Sequence, residues 1–189
     1  MTTEHGINRR EFLQAGAGLT LAFYLPSGIA QMSGPGKTVG AAATAPFAPN
    51  AFVRIGTDNT VTVLVKHLEM GQGTYTGLPT LVAEELDADW AQVRVEGAPA
   101  DARLYNNLFW GPAQGTGGST AIANSYEQLR KAGATARAML VAAAAQQWGV
   151  PADSVVVSKG VLSHKPSGRK ATFGQLAARR EAEDGDAAA

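Results

Sequence analysis

Alternating apolar and polar positions predict three strands in the central part of the chain. Residues 52–55 and 60–65 are rich in β-branched side chains and flank the turn-forming segment 56–59, Gly-Thr-Asp-Asn. Two such runs around a short polar turn are typical of a β-hairpin. Residues 90–96 form a third alternating run, with Val93 and Val95 on one face, and predict another strand.

Apolar residues at helical spacing predict two main helices. Residues 74–86 place Leu78, Val82 and Leu86 on one side of a helix. Residues 119–148 are dominated by alanine, the strongest helix former. Together these elements predict an α+β fold: a mixed sheet with a long Ala-rich helix and a shorter helix packed on it.

Shorter patterns continue the domain toward the C-terminus. Two valine-rich runs, residues 155–157 and 160–162, predict a second hairpin. Thr172 and Gln175 have the spacing of a capping box and predict the start of a final helix. The ordered domain is therefore expected to extend over residues 50–178.

The segments on either side of this domain lack hydrophobic periodicity. Residues 31–49 are rich in Gly, Ala, Pro and Thr and predict a flexible linker. Residues 179–189 are charged and have no hydrophobic face, which predicts a disordered tail. We expect the sequence to be a fragment of a larger protein.

The N-terminus contains a pair of arginines, Arg9 and Arg10, followed by Phe-Leu and a short, weakly apolar stretch over residues 15–24. This order resembles a twin-arginine export signal over residues 1–30, with small residues before a cleavage point after Ala30. The apolar stretch is too short to span a bilayer, which needs about 20 residues. The resemblance implies a periplasmic, cofactor-containing protein, whereas the alternative is an amphipathic helix that happens to carry two arginines.

Composition limits the chemistry that this chain can perform alone. Sixteen basic residues balance sixteen acidic residues, so no electrostatic footprint indicates a nucleic-acid partner. Because cysteine is absent, the chain provides no iron–sulfur ligands. The histidines (His5, His67 and His164) have no metal-ligand spacing, and we expect no metal-binding residues. A cofactor would be organic and held by backbone amides.

Two glycine-rich loops are the candidate binding elements. Gly71-Gln72-Gly73 precedes the shorter helix, and Thr116–Thr120 precedes the long helix. Glycines permit close backbone approach, and amides at a helix N-terminus attract anions. One alternative is an ordinary helix entry. Another is a dinucleotide-binding loop, against which Gly77 counts because it lies one position too late.

Three motifs together strongly resemble the molybdopterin-binding large subunit of the xanthine dehydrogenase/aldehyde oxidase family. They are residues 50–55, the segment Leu-Glu-Met-Gly-Gln-Gly at 68–73, and the segment Gln-Gly-Thr-Gly-Gly-Ser-Thr at 114–120. The likeness is greatest to the isoquinoline 1-oxidoreductase β subunit type, and it implies a partial molybdopterin-binding domain.

The resemblance also implies roles for the two loops. Gln72 is expected to hydrogen-bond the pterin or a molybdenum oxygen ligand, and the segment from Gly117 to Ser119 to hold the dithiolene or phosphate end. The implied cofactor-binding residues are Gly71, Gln72, Gly73, Thr116, Gly117, Gly118, Ser119 and Thr120. Tyr105, Phe109 and Trp110 are expected to pack in the core, with a substrate pocket as the alternative.

The family's chemistry is the oxidation of heteroaromatic compounds or aldehydes on the molybdenum cofactor, including its cytosine dinucleotide form. The resemblance implies a small iron–sulfur subunit and a cytochrome c acceptor as partners, and possible association with the membrane. The family's catalytic glutamate lies in a Gly-Val-Gly-Glu-type motif that does not occur here. We therefore assign no catalytic residue and expect no turnover by the isolated chain. The alternatives are a nucleotide-binding domain of another exported oxidoreductase and a non-catalytic periplasmic module.

Overall fold

The computed structural model describes residues 47–186, in which the first four strands form one mixed sheet. These strands are β1 (Phe47–Asn50), β2 (Val53–Ile55), β3 (Val61–Val65) and β4 (Val93–Gly97). Their order in the sheet is β1-β2-β3-β4, with antiparallel pairing up to β3 and parallel pairing of β3 with β4. The predicted hairpin is confirmed, and the third strand is confirmed from Val93 in the same sheet, whereas residues 90–92 form a 3-10 helix.

The helices are α1 (Thr74–Leu86), α2 (Ala102–Tyr105), α3 (Ala121–Trp148) and α4 (Phe173–Asp186). Helix α1 connects the parallel strands β3 and β4 and so completes a βαβ unit. In such units ligands bind beyond the carboxyl ends of the parallel strands. The region beyond the end of β3 is therefore where a ligand is expected.

One face of the first sheet and the helices α1 and α3 enclose the hydrophobic core. The inward-facing residues of β2 and β3 are valines and one isoleucine, and all are almost fully buried. Leu78, Val82 and Leu86 of α1 and Leu129 and Leu140 of α3 complete this core. The predicted α+β architecture, with two helices packed on a mixed sheet, is confirmed.

Small residues bring α3 close to α1. Ala132, Gly133 and Ala136 are buried on the face of α3. A Cβ atom at Gly133 would lie 2.6 Å from the carbonyl oxygen of Val82 and 3.0 Å from Cβ of Glu85. The absence of a side chain at Gly133 therefore sets the distance between the two helices.

A second, antiparallel sheet contains β5 (Val156–Ser158), β6 (Val161–His164) and β7 (Arg169–Thr172) in that order. The first two strands correspond to the predicted second hairpin. The strand β7 is not predicted, because Ala171 is the only apolar residue of its four. Its backbone pairing to β6, with Ala171 opposite Leu162, supplies the strand.

Helix α4 begins with the predicted capping box. The amide of Thr172 donates to Gln175 Oε1 at 2.9 Å, and the amide of Gln175 donates to Thr172 Oγ1 at 3.3 Å. The helix continues to Asp186, so the prediction of a disordered tail from residue 179 is wrong for residues 179–186. A charged segment can continue a helix whose first turn is anchored by buried side chains, here Phe173, Leu176 and Ala177.

The predicted signal and most of the predicted linker lie outside the described residues. The linker prediction is wrong for residues 47–49, because Phe47 and Asn50 pair through their backbones with Ile55 and Val53 of β2. Within the described range, no helix is both long and apolar enough to cross a membrane.

Candidate functional site

The two glycine loops lie side by side beyond the carboxyl end of β3. The amide of Leu68, at the start of the first loop, donates to Thr116 Oγ1 of the second loop at 2.8 Å. The neighbouring His67 Nδ1 lies 3.2 Å from the carbonyl oxygen of Gly115. The two loops therefore meet at these adjoining ends.

In the first loop, the carboxylate of Glu69 binds the backbone amides that precede α1. Its Oε1 accepts from the amides of Gly71 and Gly73 at 2.7 and 3.0 Å, and its Oε2 accepts from Tyr75 at 2.8 Å. The amides of Tyr75 and Gly73 are the main reason why the pKa of Glu69 falls from 4.5 to about 2. The carboxylate occupies the position in which such a loop would bind an anion.

Gln72 also forms its hydrogen bonds within the first loop. Its Nε2 donates to the carbonyl oxygen of Leu68 at 2.7 Å, and its Oε1 accepts from the amide of Met70 at 2.5 Å. The positive φ angles of Gly71 and Gly73 turn the chain back on itself. Gln72, which is expected to bind the cofactor, thus bonds within its own loop, and a contact with a cofactor requires one of these bonds to open.

The second loop differs because its amides have no such acceptor. Among residues 47–186, no group accepts a hydrogen bond from the amides of Gly117, Gly118 or Ser119, and no side chain caps α3. Gly118 and Ser119 both have positive φ angles, 62° and 56°. Amides directly before a helix that have no acceptor are donors suited to an anion.

The threonine hydroxyls of the second loop are used to hold its shape. Thr116 Oγ1 accepts from Leu68, whereas Thr120 Oγ1 donates to the carbonyl oxygen of Gly117 at 2.8 Å. The indole of Trp110 lies against the loop: a Cβ atom at Gly117 would be 3.1 Å from its ring, and one at Gly115 would overlap it. Glycine at these two positions therefore makes room for Trp110.

A buried polar cluster, defined as Lys66, His67, Asn107 and Asn124, underlies the two loops. His67 Nδ1 faces a carbonyl oxygen, and His67 Nε2 lies 3.2 Å from Asn124 Nδ2. Since a carbonyl only accepts and this amide nitrogen only donates, Nδ1 carries the proton and Nε2 accepts. Burial is the main cause that lowers the pKa of His67, so the ring is neutral at pH 7.

Sequence reasoning missed the roles of this cluster. Asn107 Nδ2 donates to Thr120 Oγ1 at 2.9 Å and to the carbonyl oxygen of Gly115 at 3.3 Å. Lys66 and His67 directly follow a buried strand, and Asn124 lies in the first helical turn after a glycine loop. Polar residues at these positions are the signal that could have indicated the cluster. The structure adds these residues as the support of the second loop.

The aromatic residues divide between core and surface. Tyr105 is buried, donates its hydroxyl to the carbonyl oxygen of Ala51 at 2.7 Å, and contacts Phe52 edge to face. Phe109 and Trp110 are 62% and 45% exposed. The expectation of core packing is confirmed for Tyr105 and wrong for Phe109, while Trp110 packs partly on the second loop.

Lys66 brings an uncompensated positive charge into the buried polar cluster. Its ammonium group donates to the carbonyl oxygen of Asn106 at 3.0 Å and to Gln128 Oε1 at 2.7 Å. No carboxylate within the described part of the chain forms an ion pair with it. Burial therefore lowers the pKa of Lys66 from 10.5 to about 8.

We expect the free energy of unfolding to rise as the pH is raised from 8 to 10.5 because of Lys66. In this window the unfolded chain keeps the proton that the folded chain has lost, so higher pH favours the folded state. The rise attributable to Lys66 is about 1–2 kcal/mol. It is measured as the difference between the wild type and Lys66→Met in urea unfolding at both pH values, and parallel pH profiles would contradict it.

Comparison with known proteins identifies the family. A family model described as a molybdopterin cofactor-binding domain matches residues 6–189. Isoquinoline 1-oxidoreductase subunit beta from Brevundimonas diminuta is 47% identical over 135 residues, which are 71% of this chain and 17% of that protein. The membrane-bound aldehyde dehydrogenase [pyrroloquinoline-quinone] of Gluconacetobacter polyoxogenes is 31% identical over 180 residues, 92% of this chain and 21% of that protein.

A solved structure supports the same fold. The CO dehydrogenase of Oligotropha carboxidovorans, in reconstituted form, superposes with a TM-score of 0.52 at 21% identity, covering 66% of this chain and 15% of that chain. The chain thus spans about a fifth of the length of the curated relatives it matches. With this fold, these loops and these relatives, the chain belongs to the molybdopterin-binding proteins of the xanthine dehydrogenase family.

Proposed function

We propose that this chain forms part of the molybdopterin cleft in the large subunit of an exported molybdenum hydroxylase or aldehyde dehydrogenase. The observation that carries the proposal is the second loop, in which the amides of Gly117, Gly118 and Ser119 have no acceptor among the described residues. They precede α3, a helix of 28 residues, whose positive dipole end favours a negatively charged group. A phosphate or dithiolene group matches this donor set.

Each residue of the second loop has a distinct part in this proposal. The amides of Gly117, Gly118 and Ser119, together with the Ser119 hydroxyl, would hold the anionic end of the cofactor. Thr116 and Thr120 would act by shaping the loop, because their hydroxyls already bind Leu68 and the carbonyl oxygen of Gly117.

The first loop would contribute through its position beside the second. Gly71 and Gly73 allow the turn that brings Leu68 to Thr116. Gln72 would reach the cofactor by exchanging its bond to Met70 or to Leu68 for one to the pterin, at little cost in stability because its side chain is exposed.

When bound in a complete subunit, the molybdenum cofactor supplies the redox chemistry of substrate oxidation. The contribution of this chain is to bind and orient that cofactor. The proposal includes the cytosine dinucleotide form of the cofactor, a heteroaromatic or aldehyde substrate, a small iron–sulfur subunit and a cytochrome c acceptor. It also includes periplasmic location through the twin-arginine route and association with the membrane. The names of the relatives, an isoquinoline oxidoreductase subunit and an aldehyde dehydrogenase, support the substrate classes.

The test is cofactor analysis of the complex purified from the periplasm of cells that produce the chain with its natural neighbours. Plasma mass spectrometry should find molybdenum, and fluorescence after oxidation should find pterin. We expect Ser119→Ala to weaken cofactor retention by about 1–3 kcal/mol, or about 5- to 150-fold, through loss of a hydrogen bond to a charged group.

Replacement of both Arg9 and Arg10 by lysine should keep the complex in the cytoplasm.

Ser158→Ala is the matched control, because Ser158 is an exposed serine of β5 in the other sheet. It should leave the molybdenum content unchanged. A purified complex that lacks both molybdenum and pterin would refute the proposal. So would a complex containing pyrroloquinoline quinone, the cofactor that the name of the second relative gives.

A further inference from the structure

Both glycine loops precede a helix, but among the described residues only the first has an acceptor for its free backbone amides. At the first loop, the amides of Gly71, Gly73 and Tyr75 all bind the carboxylate of Glu69. At the second loop, the amides from Gly117 to Ser119 have no acceptor within residues 47–186. The resemblance assigns the anionic end of the cofactor to the second loop but gives no reason why the first loop does not accept it.

We propose that Glu69 is a built-in anion that closes the N-terminus of α1, so that the anionic end of a bound cofactor is accepted at the second loop alone. This inference rests on the proposed function for the identity of the ligand. It makes Glu69 a specificity-determining residue that decides which of the two loops takes the negative charge.

The geometry of the first loop is that of a filled anion site. One carboxylate oxygen binds Gly71 and Gly73, and the other binds Tyr75, with Thr74 Oγ1 at 3.3 Å from the same oxygen. Backbone amides in a glycine turn before a helix form the arrangement that holds phosphate in other proteins. An external anion would have to displace all of these bonds.

The charge of Glu69 also disfavours binding of an external anion at the first loop. The hydrogen bonds that lower the pKa of Glu69 to about 2 keep the carboxylate ionised at neutral pH. Its charge offsets the positive end of the α1 dipole and repels a second anion. By contrast, no side chain caps α3, and among the described residues none of its first-turn amides meets a carboxylate.

The remaining surface of the first loop suits an uncharged part of the ligand. Leu68 and Met70 are 66% and 68% exposed beside the second loop, and Gln72 presents an amide. The ring portion of a pterin carries no net charge, so apolar side chains and an amide can contact it. The two loops therefore divide the ligand by polarity.

The experiment is a titration of the full 189-residue chain, labelled with ¹⁵N, with inorganic pyrophosphate as the probe. In the wild type, amide signals of Gly117, Gly118 and Ser119 should shift, whereas those of Gly71 and Gly73 should not. In Glu69→Ala the first-loop amides lose their acceptor and should also shift. We expect pyrophosphate to bind at the first loop at least about tenfold more tightly in Glu69→Ala than in the wild type.

Glu84→Ala is the matched control, because it removes an equal charge from an exposed position of the same helix. It should behave as the wild type. Glu69→Gln keeps the shape of the side chain and removes its charge, so it should also admit pyrophosphate at the first loop. This variant provides the test if Glu69→Ala does not fold.

The outcomes separate this inference from the proposed function. First-loop shifts in the wild type, or none in either folded Glu69 variant, would overturn the role of Glu69. If the second loop fails to respond while Glu69→Ala gains a response at Gly71 and Gly73, the role of Glu69 stands. The proposal that the second loop holds an anion would then fail.

Discussion

Replacement of Phe173 by alanine is expected to lower the free energy of unfolding by about 3–5 kcal/mol, the usual cost of removing a large aromatic side chain from a core. Phe173 is fully buried and is the largest of the side chains that are completely enclosed. It fixes the first turn of α4 next to the β2–β3 turn, where the amide of Gly174 donates to Asn59 Oδ1 at 3.0 Å. Urea unfolding followed by circular dichroism measures the loss.

The matched control is Phe109→Ala, which removes the same side chain from a position that is 62% exposed. A surface substitution of this kind should change the free energy of unfolding by no more than about 0.5 kcal/mol. Equal losses for Phe109→Ala and Phe173→Ala would show that α4 is not anchored to the core through Phe173.

Substitution of Gly115 by alanine is expected to displace the second loop, because the added Cβ atom would overlap the indole of Trp110. Overpacking of this type costs about 1–3 kcal/mol. Since Gly115 also accepts hydrogen bonds from His67 and Asn107, the displacement should reach the buried polar cluster. In the purified complex, we expect cofactor retention to fall by about tenfold or more, which corresponds to at least about 1.4 kcal/mol.

A double-mutant cycle tests whether the clash is with Trp110. Gly115→Ala combined with Trp110→Ala should cost less than the sum of the single changes, with a coupling of about 1 kcal/mol or more. The same cycle with Trp90→Ala, another half-exposed tryptophan, should show additive effects. Additivity in both cycles would contradict the packing of Trp110 on Gly115.

The sequence predicts the main elements well because their apolar residues are periodic. Leu78, Val82 and Leu86 lie at helical spacing, and the resulting helix has the predicted bounds. The strands containing Val61 and Val93 pair as parallel neighbours, and Val61, Val63 and Val93 are buried. Burial of one face decides both patterns, so local sequence contains the information.

Elements that depend on distant partners are not predicted. The strand at Arg169–Thr172 has little apolar character and exists because β6 offers backbone hydrogen bonds. The charged end of α4 forms a helix because its first turn is anchored by the buried Phe173 and by the amide of Gly174, which donates to Asn59, more than a hundred residues away. Local sequence patterns contain no information about contacts between residues so far apart in the chain.

In the candidate site, too, some features were predictable from the sequence and others depend on contacts between distant residues. The resemblance selected the two loops as the cofactor-binding elements, and in the structure Leu68 and Thr116 join their adjoining ends. It did not predict that the carboxylate of Glu69 fills the first loop, because that contact depends on the φ angles of Gly71 and Gly73. Nor could it place His67, whose ring lies between Gly115 and Asn124.

The position of His67 has a consequence for how this part of the protein can change in evolution. Its two ring nitrogens join the end of β3 to the second loop and to α3 through Gly115 and Asn124. A change at residue 67 removes one of the two acceptors of the buried Asn124 amide and leaves only the carbonyl oxygen of Thr120. Related sequences that lack histidine here should therefore have exchanged Asn124 as well, so that the two positions vary as a pair.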